Sequence, residues 1–277
     1  MFSSKRAPQP ESFSKRSESF QKRHRERSSS KAKRSFREYA AASSRVEKKT
    51  HSSRPSTAST LTSPIITLCV GPDQRLFAAH EDILSSSPYF ATIARGQFLE
   101  ANAKRVNLPD ELPEIFSCVL EYLYKGDYFP RLQYHKRRNS WELEDIASEN
   151  TGKGSILYHP TLARTLLKDT LVYCTAEKFG LEELKSLALR KQGLQTGVQC
   201  STILASARYA YANTPDTDSR LRAHYLALII RSRSTFKRSG TMQSEMELGG
   251  RLFFDLFVAM CNHMDEMSTI KSPRSVK

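Results

Sequence analysis

The 277-residue chain carries 43 Lys and Arg against 29 Asp and Glu, a formal net charge of +14, with 39% hydrophobic residues. Residues 1–64 hold 16 basic and 5 acidic side chains, net +11, and the rest of the chain holds 27 and 24, net +3. No uncharged apolar run approaches the ~18 residues a membrane-spanning helix needs, which excludes a helical membrane protein. Five separated cysteines, Cys69, Cys118, Cys174, Cys200 and Cys261, form no C-x-x-C pair and predict reduced thiols in a soluble protein of the nucleus or cytoplasm.

Residues 1–62 lack a sustained apolar period and are rich in serine and basic residues, a composition that predicts a disordered tail. Within it, Lys22, Arg23, Arg25 and Arg27 form one basic cluster and Lys31, Lys33 and Arg34 a second. Two readings stand: a nuclear-import address or nucleic-acid-binding arm, and a solvated basic tail. Phe13, Phe20, Phe36 and Tyr39 are too sparse to make a base-stacking platform.

Ile65 to Val70 is rich in β-branched and apolar residues and predicts a strand covered on both faces. Gly71-Pro72-Asp73-Gln74 is turn chemistry, and Leu76 to Ala79 completes a hairpin. A helical pair follows from Glu81 to about Arg95, joined near Pro88 and closed by Gly96. Arg105 to Leu108 predicts a third strand, stopped by Pro109. Pro113 and Glu114 suit a helical first turn, and Ile115, Phe116, Val119, Leu120 and Leu123 supply its core stripe.

Between Tyr128 and Pro160 the periodicity disappears, which predicts an irregular surface insertion containing Lys136-Arg137-Arg138 and Trp141. Helical periodicity resumes with Leu166, Leu167, Leu171, Val172, Cys174, Ala176 and Phe179, and a second helix runs from Leu181 to about Arg190. Three further helical patterns are expected around Val198–Tyr211, Asp218–Arg231 and Met246–Met264. The expected domains are the tail at 1–62, a folded domain at 63–192 with its insertion at about 128–160, a helical region at 193–268 and a flexible end at 269–277.

Several ordered pieces of this chain resemble the BTB/POZ domain family. They are Phe77-x-x-His80-x-x-x-Leu84-x-x-x-Pro88-x-Phe90, Phe98-Leu99-Glu100, Val106-x-Leu108-Pro109, Phe116-x-x-x-Leu120-x-Tyr122-Leu123-Tyr124-x-Gly126-Asp127 and Tyr173-x-x-Ala176-x-Lys178-Phe179-Gly180-Leu181. The insertion, Tyr211-x-Asn213-Thr214-Pro215 and Leu221-Arg222 look similar to its fungal branch. The resemblance implies an α+β fold, a small three-stranded sheet capped by helices and here followed by a C-terminal helical region. It also implies self-association and recruitment of other proteins. In cullin-RING ubiquitin ligase adaptors of this family, an apolar-x-Glu element contacts the cullin, and Phe98, Leu99 and Glu100 stand at that position. The alternative is that Phe98 closes the core and Glu100 is a solvated charge. Pro64 stands where many members place an aspartate, and no zinc finger, kelch repeat or meprin-type region accompanies the fold in this sequence.

Chemistry-bearing motifs are thin. His80-Glu81-x-x-Leu84 lacks the second histidine of a zinc-protease helix, so His80 is expected to order the strand-to-helix junction. The other histidines are isolated, Gly152-Lys153-Gly154-Ser155 lacks most of a phosphate loop, and no G-x-S-x-G occurs. The sequence therefore predicts a non-enzymatic module without metal or cofactor, binding proteins through its folded part and nucleic acid only through its tail.

Overall fold

The computed structural model describes residues 63–95, 105–144 and 154–271. The β-branched segment β1 (Ile65–Val70) lies at the centre of a three-stranded sheet, with β2 (Arg75–His80) antiparallel on one side and β3 (Arg105–Leu108) parallel on the other. Ile66, Leu68 and Val70 point into the core, as strand alternation requires. The turn after β1 depends on Gly71, whose φ of +78° a side chain would strain. A Cβ there would also lie 3.0 Å from Pro113 Cγ.

His80 ends β2 with an extended backbone and leads directly into α1 (Glu81–Leu84), followed by α2 (Pro88–Arg95). Ser87, buried between them, donates its hydroxyl to the Phe179 carbonyl at 2.6 Å. α3 (Pro113–Lys125) starts on proline, which needs no backbone donor, and stops at Gly126 in the left-handed conformation. Phe77, Tyr89, Phe90, Phe116 and Phe179 pack as an aromatic group with centroid separations between 4.9 and 6.3 Å. Full burial of one such ring contributes about 1.5–3 kcal/mol.

The expected irregular insertion is corrected in its strand content. β4 (Leu132–His135) and β5 (Ser140–Leu143) form one antiparallel hairpin, and β6 (Ile156–His159) and β7 (Arg164–Leu167) a second. Leu132–His135 and Ser140–Leu143 alternate apolar and polar residues as β3 does, a signal the expectation passed over, whereas β6 and β7 show no alternation. The helix expected to include Leu166 and Leu167 begins later, as α4 (Lys168–Phe179), because those two leucines belong to β7. α4 is buried from Asp169 to Ala176 and again at Phe179, so it is enclosed on all sides.

α5 (Glu182–Gly193), α6 (Cys200–Asn213), α7 (Arg220–Arg231), the short α8 (Arg233–Phe236), α9 (Gly240–Glu247) and α10 (Arg251–Lys271) complete the chain. The last expected pattern thus divides: Met246 lies in α9, and Gly249 and Gly250, both at positive φ, separate it from α10. One buried apolar cluster extends from Ile66 through α4 to Leu221, Tyr225 and Leu252, so the C-terminal helices share the core of the sheet region.

Candidate protein-interaction surface

The corner between β2 and α1 is built on His80. Its backbone N–H donates to the Tyr124 hydroxyl at 2.9 Å, and its Nδ1 lies 2.8 Å from the same oxygen. The expected ordering role of this histidine is therefore met by a tyrosine at the end of α3. The corner is also tied to the chain entering β1, since Glu81 N–H donates to the Pro64 carbonyl at 2.9 Å.

Two buried lysines brace the underside of the surface. Lys191 is fully buried, pairs with Asp127, donates to the carbonyls of Tyr128 and Pro130, and sits 3.6 Å from the Tyr128 ring centroid. Burial pushes its amine below the usual lysine range, with Asp127 acting in the opposite direction. Asp127 also accepts the backbone N–H of Tyr128 at 2.7 Å and of Leu132 at 2.9 Å, which fixes the approach to β4. Tyr128 donates to buried Asp169 at 2.8 Å, and burial raises the carboxyl of Asp169 above the ordinary aspartate range.

The second lysine, Lys185, meets Glu177, Glu182 and Asp218. Burial alone would raise Asp218, but hydrogen bonds from Lys185, Tyr173 and the Arg220 backbone outweigh it and hold the carboxyl at about 2. Arg222, also buried, donates to Thr214 and to the Tyr211 carbonyl and pairs with Asp216 at 2.8 Å. These networks fix helix positions. Among the described residues no group of three or more His, Cys, Asp or Glu can hold a metal ion.

Three of the exposed apolar places bear on partner binding. Ile65 and Leu76 lie on the outer face of the sheet, where the register also sets Thr67 against Ala78. A depression of about 280 Å³ opens beside them, lined by Cys69, Gly71, Gln74, Arg105, Asn107 and Pro109. Burial raises the thiols of Cys118 and Cys174, which removes them as nucleophiles. On the β4–β5 hairpin, Tyr134 and Trp141 pair across the strands at 5.1 Å, and the Arg190 guanidinium lies 5.5 Å from the Trp141 ring. The third place is α10, with Phe254, Phe257, Met260, Met264 and Met267 exposed.

Phe98, Leu99 and Glu100 lie outside the described residues, as do Gly96, Gly152, Lys153 and residues 1–62 with Lys22, Arg23, Arg25, Arg27, Lys31, Lys33 and Arg34. The structure places the flanks of the Phe98–Glu100 segment. α2 ends at Arg95, and β3 re-enters the sheet at Arg105 beside Thr67. Sequence reasoning missed the exposed face of α10, although one signal was present: Leu252 to Cys261 is interrupted only by Asp255. No helix among the described residues is long and apolar enough to cross a membrane.

Comparison with protein-family models matches residues 66–138 to the BTB/POZ domain. Comparison with curated proteins gives no match.

Proposed function

We propose that this chain, whose residues 66–138 match the BTB/POZ protein–protein interaction domain, acts as an adaptor that associates with itself or a related chain and recruits other proteins. The observation that carries this reading is the family match over residues 66–138. It spans the hairpin, the helical corner, β3 and α3, and so includes the segment between α2 and β3. The proposed partner of Phe98, Leu99 and Glu100 is a cullin of a ubiquitin ligase. An aromatic anchor beside a carboxylate gives a buried centre with a polar rim, the arrangement that concentrates binding energy in few residues. The supports of that segment favour this reading, because α2 is packed through Phe90 and β3 is hydrogen-bonded to β1.

The test is capture of a purified cullin by the full-length chain, comparing wild type with the double variant Phe98→Ala/Glu100→Ala. Capture by wild type and its loss in the variant is expected. Equal capture by both, or none by either, removes the cullin assignment.

A second reading concerns the tail, where net +11 over residues 1–64 favours nuclear import or binding to nucleic acid. Binding that rests on phosphate neutralisation falls steeply with salt. Loss of DNA binding on deletion of residues 1–62 supports this reading, and unchanged binding by the truncated chain refutes it.

A further inference from the structure

α10 spans 21 residues and docks by one side only. Leu252, Leu256 and Ala259 are buried, and its N-terminal half is held by Arg251 pairing with Asp216 and by the Tyr211 hydroxyl donating to Asp255 at 3.0 Å. From Met260 to Thr269 no residue is buried. The opposite side carries apolar residues as well: Phe254 is 68% exposed, Phe257 66% and Met264 57%. Asp255, Asn262, Glu266 and Thr269 form a polar flank, so α10 has two apolar faces, of which one is covered.

We propose that the outward face of α10 is the docking surface for a second copy of this chain. Three observations select that occupant. Phe254, Phe257, Cys261 and Met264 follow the alternating three-and-four spacing of a helix-pairing seam, with Val258 and Met260 at its edges. Pairing two such helices antiparallel sets Phe254 against the other copy's Met264, and Phe257 against the other copy's Cys261. Each aromatic ring then meets a smaller or more flexible side chain, and the helix dipoles oppose. Second, the seam itself bears no charge and the charged residues nearest it, Arg251, Asp265 and Lys271, are of mixed sign, so it offers little to a charged partner, including the chain's own basic tail. Third, Phe254, Phe257, Val258, Met260 and Met264 present on the order of 500 Å², more than half of the ~800 Å² that each partner contributes to a standard interface.

This surface lies beyond residues 66–138, so the inference does not rest on the adaptor reading. The test is sedimentation equilibrium of the full chain from low to high micromolar concentration, comparing wild type with Phe257→Glu/Met264→Glu. Both side chains face solvent in the single chain, so an unchanged circular dichroism spectrum, read at a concentration where wild type is dissociated, will certify the fold. The expected result is a wild-type dimer whose dissociation constant rises at least about tenfold in the double variant. A wild type that is monomeric throughout overturns the inference and the proposed self-association together. A folded double variant that dimerises as well as wild type overturns this inference alone and leaves pairing to another surface, including the matched region.

Discussion

The Tyr124 hydroxyl holds His80 at two points, accepting its backbone N–H at 2.9 Å and lying 2.8 Å from Nδ1. The end of α3 is thereby fastened to the strand-to-helix corner, and the rings stand edge-on at 6.0 Å. The His80 side chain does not cap α1, so this contact, the Glu81–Pro64 backbone bond and the Asp82 N–H donating to the Ser63 hydroxyl at 3.5 Å set where it begins. Replacing Tyr124 by Phe keeps the ring and removes both hydrogen bonds. A loss of about 1–2 kcal/mol in urea denaturation is expected, and an unchanged midpoint would show that the corner is held elsewhere.

Lys191 is the most consequential buried charge. Lys191→Met fills the space but leaves Asp127 and the carbonyls of Tyr128 and Pro130 without their donor. Breaking a buried pair from one side costs about 3–5 kcal/mol. Chemical denaturation followed by circular dichroism will read the loss. The emission of Trp141, the only tryptophan, will report whether the β4–β5 hairpin loosens with it.

Two glycines separate backbone strain from packing. Gly180 and Gly197 have nearly equal φ, +70° and +71°, yet a Cβ on Gly180 would meet Pro88 at 3.2 Å and one on Gly197 would meet nothing within 4 Å. Gly197→Ala should cost about 1 kcal/mol, the penalty of the left-handed conformation alone. Gly180→Ala should cost more, because α2 must shift from the end of α4. Equal thermal midpoints for the two variants would show that Pro88 yields without cost.

Acid should destabilise the protein in two steps. His224 is lowered to about 4 by burial, with Arg231 acting in the same direction, from an ordinary value near 6.5. The unfolded chain takes up this proton first, so stability falls as pH drops from about 6.5 toward 4. His159, also lowered by burial, adds to the same slope. Asp218, held at about 2, stabilises the fold above its unfolded value near 3.8 and loses that contribution as pH falls toward 2. In His224→Gln, the decline between pH 6.5 and 4 should be shallower and the lower step unchanged. Parallel pH profiles for variant and wild type would remove His224 as the cause.

The hairpin, the helical corner, β3 and α3 were legible in the sequence because their signals are local. β-branched residues mark β1, Gly71 marks its turn, and Pro113 with Gly126 brackets α3. The two later hairpins were missed: β6 and β7 show no alternation, the alternation of β4 and β5 sits among charged residues, and their pairing is visible only once both strands are placed. The boundary between β7 and α4 was missed for a related reason. Leu166, Leu167 and Leu171 fit a helical stripe equally well until strand pairing takes the first two.

The buried lysines mark the divide most clearly. Nothing in the sequence marks Lys185 and Lys191 as buried, yet both are enclosed, against Asp218 and Asp127 from distant parts of the chain. The amino-acid order by itself determined which segments coil, which extend and where they break, because those preferences reside in neighbouring residues. Tertiary structure decided which charges are buried in pairs, and that α10 covers one apolar side and exposes the other, because burial depends on segments far apart in sequence coming together.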